Sequence, residues 1–122
     1  MTQEFVPYKQ ALALKELGFD EPCFGLFIRD KSLLVKEMPN QNECEIYFGG
    51  ILAPTFSQAF RWLREKYGLY SWITIELGNK STFCWVLSGE HTSTQYAAYF
   101  HTYEEAELAC LIKLIEIANE QK

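Results

Sequence analysis

The chain has 122 residues, 48% of them hydrophobic and 22% charged, which suits one globular domain with a buried core. No stretch approaches the roughly 20 consecutive apolar residues of a membrane-spanning helix, and residues 1–7 lack the basic and apolar pattern of a secretory leader, so a cytoplasmic protein with no membrane partner is expected. A net charge of −5 argues against nucleic acid as a partner, because binding phosphates calls for clustered Lys and Arg.

Pro7 suits a first helical turn, and Tyr8, Ala11, Leu12, Leu14 and Leu17 form an apolar stripe that ends at Gly18, which predicts a helix over 7–17. The short aromatic run 23–28, the Asp30-Lys31 break and the run 33–36 predict a β-hairpin. Residues 39–45 carry turn formers and charge without a period and predict a mobile loop, followed by a short extended piece at 46–48 and a turn at Gly49-Gly50. Thr55 with Gln58 has capping-box spacing, and Gly68 stops the helix that follows. Phe56, Ala59, Phe60 and Leu63 are its expected core face, with Trp62 and Tyr67 on the flanks.

The alternation at 72–77 predicts a strand with Ile73, Ile75 and Leu77 inward and Trp72, Thr74 and Glu76 outward. A hairpin turn is expected at 78–81, a second strand at 82–87, a polar loop at 88–95 and a third strand at 96–100. Thr102 and Glu105 form another capping box ahead of an amphipathic helix through Ile117. The expected fold is therefore a single α+β domain, 1–122, in the order α-β-β-α-β-β-β-α. In it an antiparallel sheet packs on the last two helices, and the first helix and hairpin extend it.

Chemistry-bearing residues are sparse. Cys23, Cys44, Cys84 and Cys110 have no CxxC spacing and read as free thiols. His91 and His101 lack metal-ligand spacing, so no metal or cofactor is expected. Glu104, Glu105 and Glu107 resemble paired carboxylates, but capping and the helix dipole already explain them. Asn79-Lys80-Ser81 fits a glycosylation acceptor, which in a cytoplasmic chain is only a turn. With no nucleophile, base or metal motif, an enzyme is the least favoured reading.

The aromatic content is the compositional oddity. Nine Phe, seven Tyr and three Trp are more than a domain this small can seat entirely in its core. Trp72, with Trp62, Tyr47, Thr74, Tyr96 and Tyr99, is the candidate contact surface, and it points to a protein partner or a homodimer. The alternative is a small-ligand or nucleotide binder using an aromatic pocket beside 88–95.

Three blocks, 10–23, 53–68 and 102–117, resemble a family of short proteins of unassigned activity found in phages and prophages of gut Bacteroidetes. The resemblance implies a phage-type accessory role, such as an adaptor or inhibitor, and brings no site residue with it. From Thr55 onward, the helix, three strands and helix also resemble a double-stranded RNA-binding domain in topology. That domain needs a basic cluster where this chain has Glu104, Glu105 and Glu107.

Overall fold

The computed structural model describes residues 4–75 and 82–122. The α+β class is as expected, in the order α1 (Tyr8–Leu17), β1 (Cys23–Phe27), β2 (Leu33–Met38), α2 (Gln41–Phe48), β3 (Ile51–Leu52), α3 (Phe56–Tyr67), β4 (Leu69–Ile75), β5 (Phe83–Gly89), β6 (Thr92–Phe100) and α4 (Tyr103–Gln121). Two elements, α2 and β3, are additions to the expected order. The contacts divide the chain into two compact units, Met1–Ala59 and Phe60–Lys122.

In the first unit, α1 buries Ala11, Leu14 and Leu17 and ends where Gly18 turns left-handed at φ 104°. Strands β1 and β2 form the expected hairpin, from Cys23 opposite Met38 to Phe27 opposite Leu33. Its turn is held by Asp30, whose Oδ1 accepts a hydrogen bond from the Ser32 backbone N–H at 2.9 Å. The hairpin does not extend the later strands, because the second edge of β1 is occupied by β3, giving a sheet of order β2-β1-β3. Gly50 makes this pairing possible, since a Cβ there would lie 2.0 Å from the Phe27 carbonyl oxygen.

The predicted loop at 39–45 and extended piece at 46–48 are instead the helix α2. Asn40 Oδ1 accepts from the Glu43 backbone N–H at 2.8 Å, and Gly49 closes the helix at φ 60°. Only Cys44 is buried along it, so the apolar period that reveals most helices is missing and the two caps define the element. The Gln41 side chain then ties α2 to the neighbouring strand: its Nε2 donates to the Gly50 carbonyl at 3.0 Å, and its Oε1 accepts from the Leu52 N–H at 3.1 Å.

Helix α3 begins as expected, with Thr55 Oγ1 accepting from the Gln58 N–H at 3.2 Å. The Gln58 amide does not return to its cap; it donates to the Pro22 carbonyl at 2.7 Å.

In the second unit, β4, β5 and β6 form an antiparallel meander. The expected polar loop at 88–95 is absent. Both strands run through it to a tight turn at Glu90-His91, because Ser, Thr and Gln suit a sheet face open to water as well as they suit a loop. The predicted turn at 78–81, with Asn79-Lys80-Ser81, and the positions Glu76 and Leu77 lie outside the described residues.

Helix α4 starts at Thr102, whose Oγ1 accepts from the Glu105 N–H at 3.0 Å, while Glu105 Oε2 accepts from the His101 N–H at 3.2 Å. It packs on all three strands and buries Ala106, Cys110, Leu111, Leu114, Ile115 and Ile117. No helix among the described residues is long and apolar enough to cross a membrane.

Truncating the fully buried Leu114 to Ala is expected to cost about 2–5 kcal/mol, whereas Ile112→Ala, on the exposed side of the same helix, is expected to change stability by less than about 0.5 kcal/mol. Asn40→Ala, which removes the α2 cap, is expected to cost about 1 kcal/mol. Urea denaturation of the three variants checks this ranking.

Candidate functional site

The two faces of the β4-β5-β6 sheet follow from its register. Ser71 hydrogen-bonds the Cys110 thiol on α4, and the Phe83 ring meets the Tyr103 ring edge-on at 6.3 Å, so residues of that parity face the helix. Ile73 opposite Trp85, and Ser71 opposite Leu87, belong to this side. The alternate residues form the other side. Trp72 stands opposite Val86, and Val86 opposite Tyr96, in one row across the sheet. This row lies between Thr74 opposite Cys84 on one side and Tyr70 opposite Ser88 on the other.

Trp72 is 52% exposed and Tyr96 74%, so the predicted aromatic pair exists and faces water. Tyr99 joins them through an irregularity. Phe83 pairs with Phe100 and Trp85 with Ala97, so both Ala98 and Tyr99 stand opposite Cys84. Two residues against one is a β-bulge, and Tyr99 takes up the extra length at φ 71°, in the left-handed region that aromatic residues rarely adopt. Its ring is 68% exposed. The bulge left no signal in the sequence, because glycine, the usual marker of such a site, is absent from 92–100.

Trp62 is a correction. It is only 6% exposed, with its ring edge-on to Tyr67 at 5.7 Å, and so belongs to the buried side of α3 rather than to the contact surface. Trp, the largest apolar side chain, fills the position beside Leu63, while Phe60 is only half-buried. Ile75, expected inward, is 60% exposed at the last described position of β4, an outer strand of the sheet. Tyr47 is exposed at the end of α2, in the first unit.

Charge is segregated in the second unit. Among its described residues, Arg, Lys, Asp and Glu occur on α3, on α4, at the last residue and at Glu90 in the hairpin turn, and none occurs on a strand. Among the described residues the open face is thus an uncharged surface of aromatic rings with Ser and Thr hydroxyls between them. Thr94 Oγ1 and Ser88 Oγ lie 3.3 Å apart there.

A cleft of about 640 Å³ lies at the hairpin end, lined by Arg64, Lys66, Tyr67, Tyr70, Glu90 and His91 among others. A smaller one of about 430 Å³ lies in the first unit beside Cys23, Phe24 and Met38, where the β1–β2 register shifts. Among the described residues, no three His, Cys, Asp or Glu side chains gather so as to hold a metal ion. Burial, followed by the charge of Glu104, pushes the Glu107 carboxyl above its usual range.

All four cysteines are buried free thiols. Burial pushes Cys23 up to about 12, and Cys44 and Cys110 up to about 11. These thiols stay protonated near neutrality and are poor nucleophiles. Compared with known proteins, the chain matches no family model, no curated protein and no solved structure.

Because folding raises these three thiols above the roughly 8.5 of an unfolded cysteine, the stability they contribute is complete below about pH 8.5 and is lost as pH rises toward 11 to 12. Thermal melts are therefore expected to hold steady between pH 7 and 8 and to fall at higher pH. Iodoacetamide at pH 8 is expected to label the unfolded chain much faster than the native one.

Proposed function

We propose that this chain is a binding module whose contact surface is the open face of β4-β5-β6. The observation that carries this reading is the row Trp72–Val86–Tyr96, flanked by Tyr70 and Tyr99, on strands without a charged side chain among the described residues. Aromatic rings supply large contact area at low side-chain entropy cost, and depletion of charge is the compositional mark of interface centres. The role this suits is that of an adaptor or inhibitor: a cytoplasmic accessory protein of the phage or prophage type that acts by occupying a protein surface.

A small-ligand reading rests on the cleft at the hairpin end, whose size falls in the range of ligand sites. Its wall mixes Arg64 and Lys66 with Glu65 and Glu90 and brings together two tyrosines, Tyr67 and Tyr70. It is thus more polar than an aromatic pocket for a nucleotide base, and the sheet face is the better-supported site.

Affinity capture from a bacterial lysate, run in parallel with wild type, Trp72→Ser and Tyr96→Ser, tests the reading. Proteins retained by the wild type and lost from both variants are expected; a retained set indifferent to both substitutions would sink it. Nucleic acid is not the expected partner, since Glu104 and Glu105 occupy the first turn of α4. In a gel-shift titration with generic duplex RNA at physiological salt, no complex is expected, and a tight, salt-sensitive one would contradict the electrostatic argument.

A further inference from the structure

The binding-module reading leaves the partner open. Resting on that reading, we infer that the open face of β4-β5-β6 docks on the same face of a second copy of this chain, with Tyr99 held in its left-handed conformation as part of the contact.

Charge is the first argument. Two copies carry −5 each and repel at long range, so a stable self-contact has to avoid bringing like charges together. The strands of this face carry no charged side chain among the described residues, so along them a copy turned about a two-fold axis brings rings, hydroxyls and methyl groups together rather than like charges. The face is complementary to a neutral surface of aromatic rings and hydroxyls, and it is itself such a surface.

Area is the second argument. Tyr70, Trp72, Tyr96 and Tyr99 are each exposed by about half to three-quarters, and at 150–250 Å² per ring they offer roughly 350–600 Å². Thr74, Val86, Ser88 and Thr94 lie between them on the same side. Together they approach the roughly 800 Å² per partner of a standard-sized interface. Two sheets stacked in this way lie about 10 Å apart, a distance that rings from both sides fill.

Tyr99 supplies the third argument. A positive φ at an aromatic residue destabilises the free chain, and here the exposed ring makes up little of that loss in the monomer. Glycine would relieve the strain at once. A contact that uses the ring gives the tyrosine a role that the isolated fold does not. The same bulge, in the ladder that joins β6 to β5, bends this outer strand, which disfavours regular edge-to-edge pairing along β6.

The test is sedimentation velocity on the full chain from about 1 µM to about 500 µM, a span that resolves micromolar dissociation constants. Wild type, Trp72→Ser, Tyr99→Gly and, as a control on an exposed tyrosine of the other unit, Tyr47→Ser are compared, with thermal melts at the dilute end. The wild type is expected to pass from monomer to dimer across this range. Trp72→Ser and Tyr99→Gly are expected to weaken the dimer by about tenfold or more, as removal of a central aromatic anchor does, with Tyr47→Ser unchanged. Tyr99→Gly is expected to melt higher than wild type as a monomer while dimerising less, a combination that a purely structural residue would not give.

A wild type that stays monomeric throughout overturns the inference, as does a dimer indifferent to both Trp72→Ser and Tyr99→Gly. If Trp72→Ser fails to fold, Tyr99→Gly decides alone. A monomeric wild type that still loses lysate partners through Trp72→Ser and Tyr96→Ser would keep the binding module and assign the face to a different protein. A monomer retarded by a neutral polysaccharide in a Trp72-dependent way would assign it to a glycan.

Discussion

In the second unit, side chains alternate between the two faces of the β4-β5-β6 sheet, and α4 can cover only one of them. Once Ser71 bonds Cys110 and Phe83 meets Tyr103, parity alone sends Trp72 and Tyr96 to the other side. A one-residue slip of β4 would bring Trp72 under the helix and put Ser71 in water. The bulge in β6 extends the same logic. Ala97 and Phe100 are three residues apart, a spacing that strict alternation would place on opposite faces, yet they pair with Trp85 and Phe83 on the helix side. The extra residue lets both stay there, and Tyr99 carries the backbone strain that results.

The same constraint separates chemistry in space. Among the described residues of the second unit the helices carry most of the charge, including the Arg61–Glu65 and Lys113–Glu116 pairs at 3.6 and 3.2 Å. Strands β4, β5 and β6 carry rings and hydroxyls and no charged side chain among the described residues. The four thiols are buried, and burial holds those of Cys23, Cys44 and Cys110 protonated.

What could be read in advance depended on whether the signal was local. The helices at 8–17, 56–67 and 103–121 announce themselves through a stripe and a cap or glycine stop, and they sit where expected. Helix α2 has the same kind of caps, Asn40 with Glu43 and Gly49, but only Cys44 to bury, so the apolar period fell silent. Trp72, Tyr96 and Tyr99 were legible as surface candidates from alternation and aromatic excess. That Trp72 and Tyr96 share one row with Tyr99 beside it was not, because cross-strand register and the bulge are set by tertiary pairing. Trp62 misled for a related reason: a large ring at the margin of a helical stripe goes wherever the neighbouring elements leave volume, and the helix period does not encode that.

Hydroxyl-radical footprinting of the dilute monomer addresses the assignment of faces most directly, because it reads the exposure of individual rings. Trp72, Tyr96 and Tyr99 are expected to oxidise many times faster than Trp62 and Trp85, which are 6% and 7% exposed. Trp85 oxidising as fast as Trp72 would mean that α4 covers the opposite parity of the sheet, and would contradict this assignment of faces.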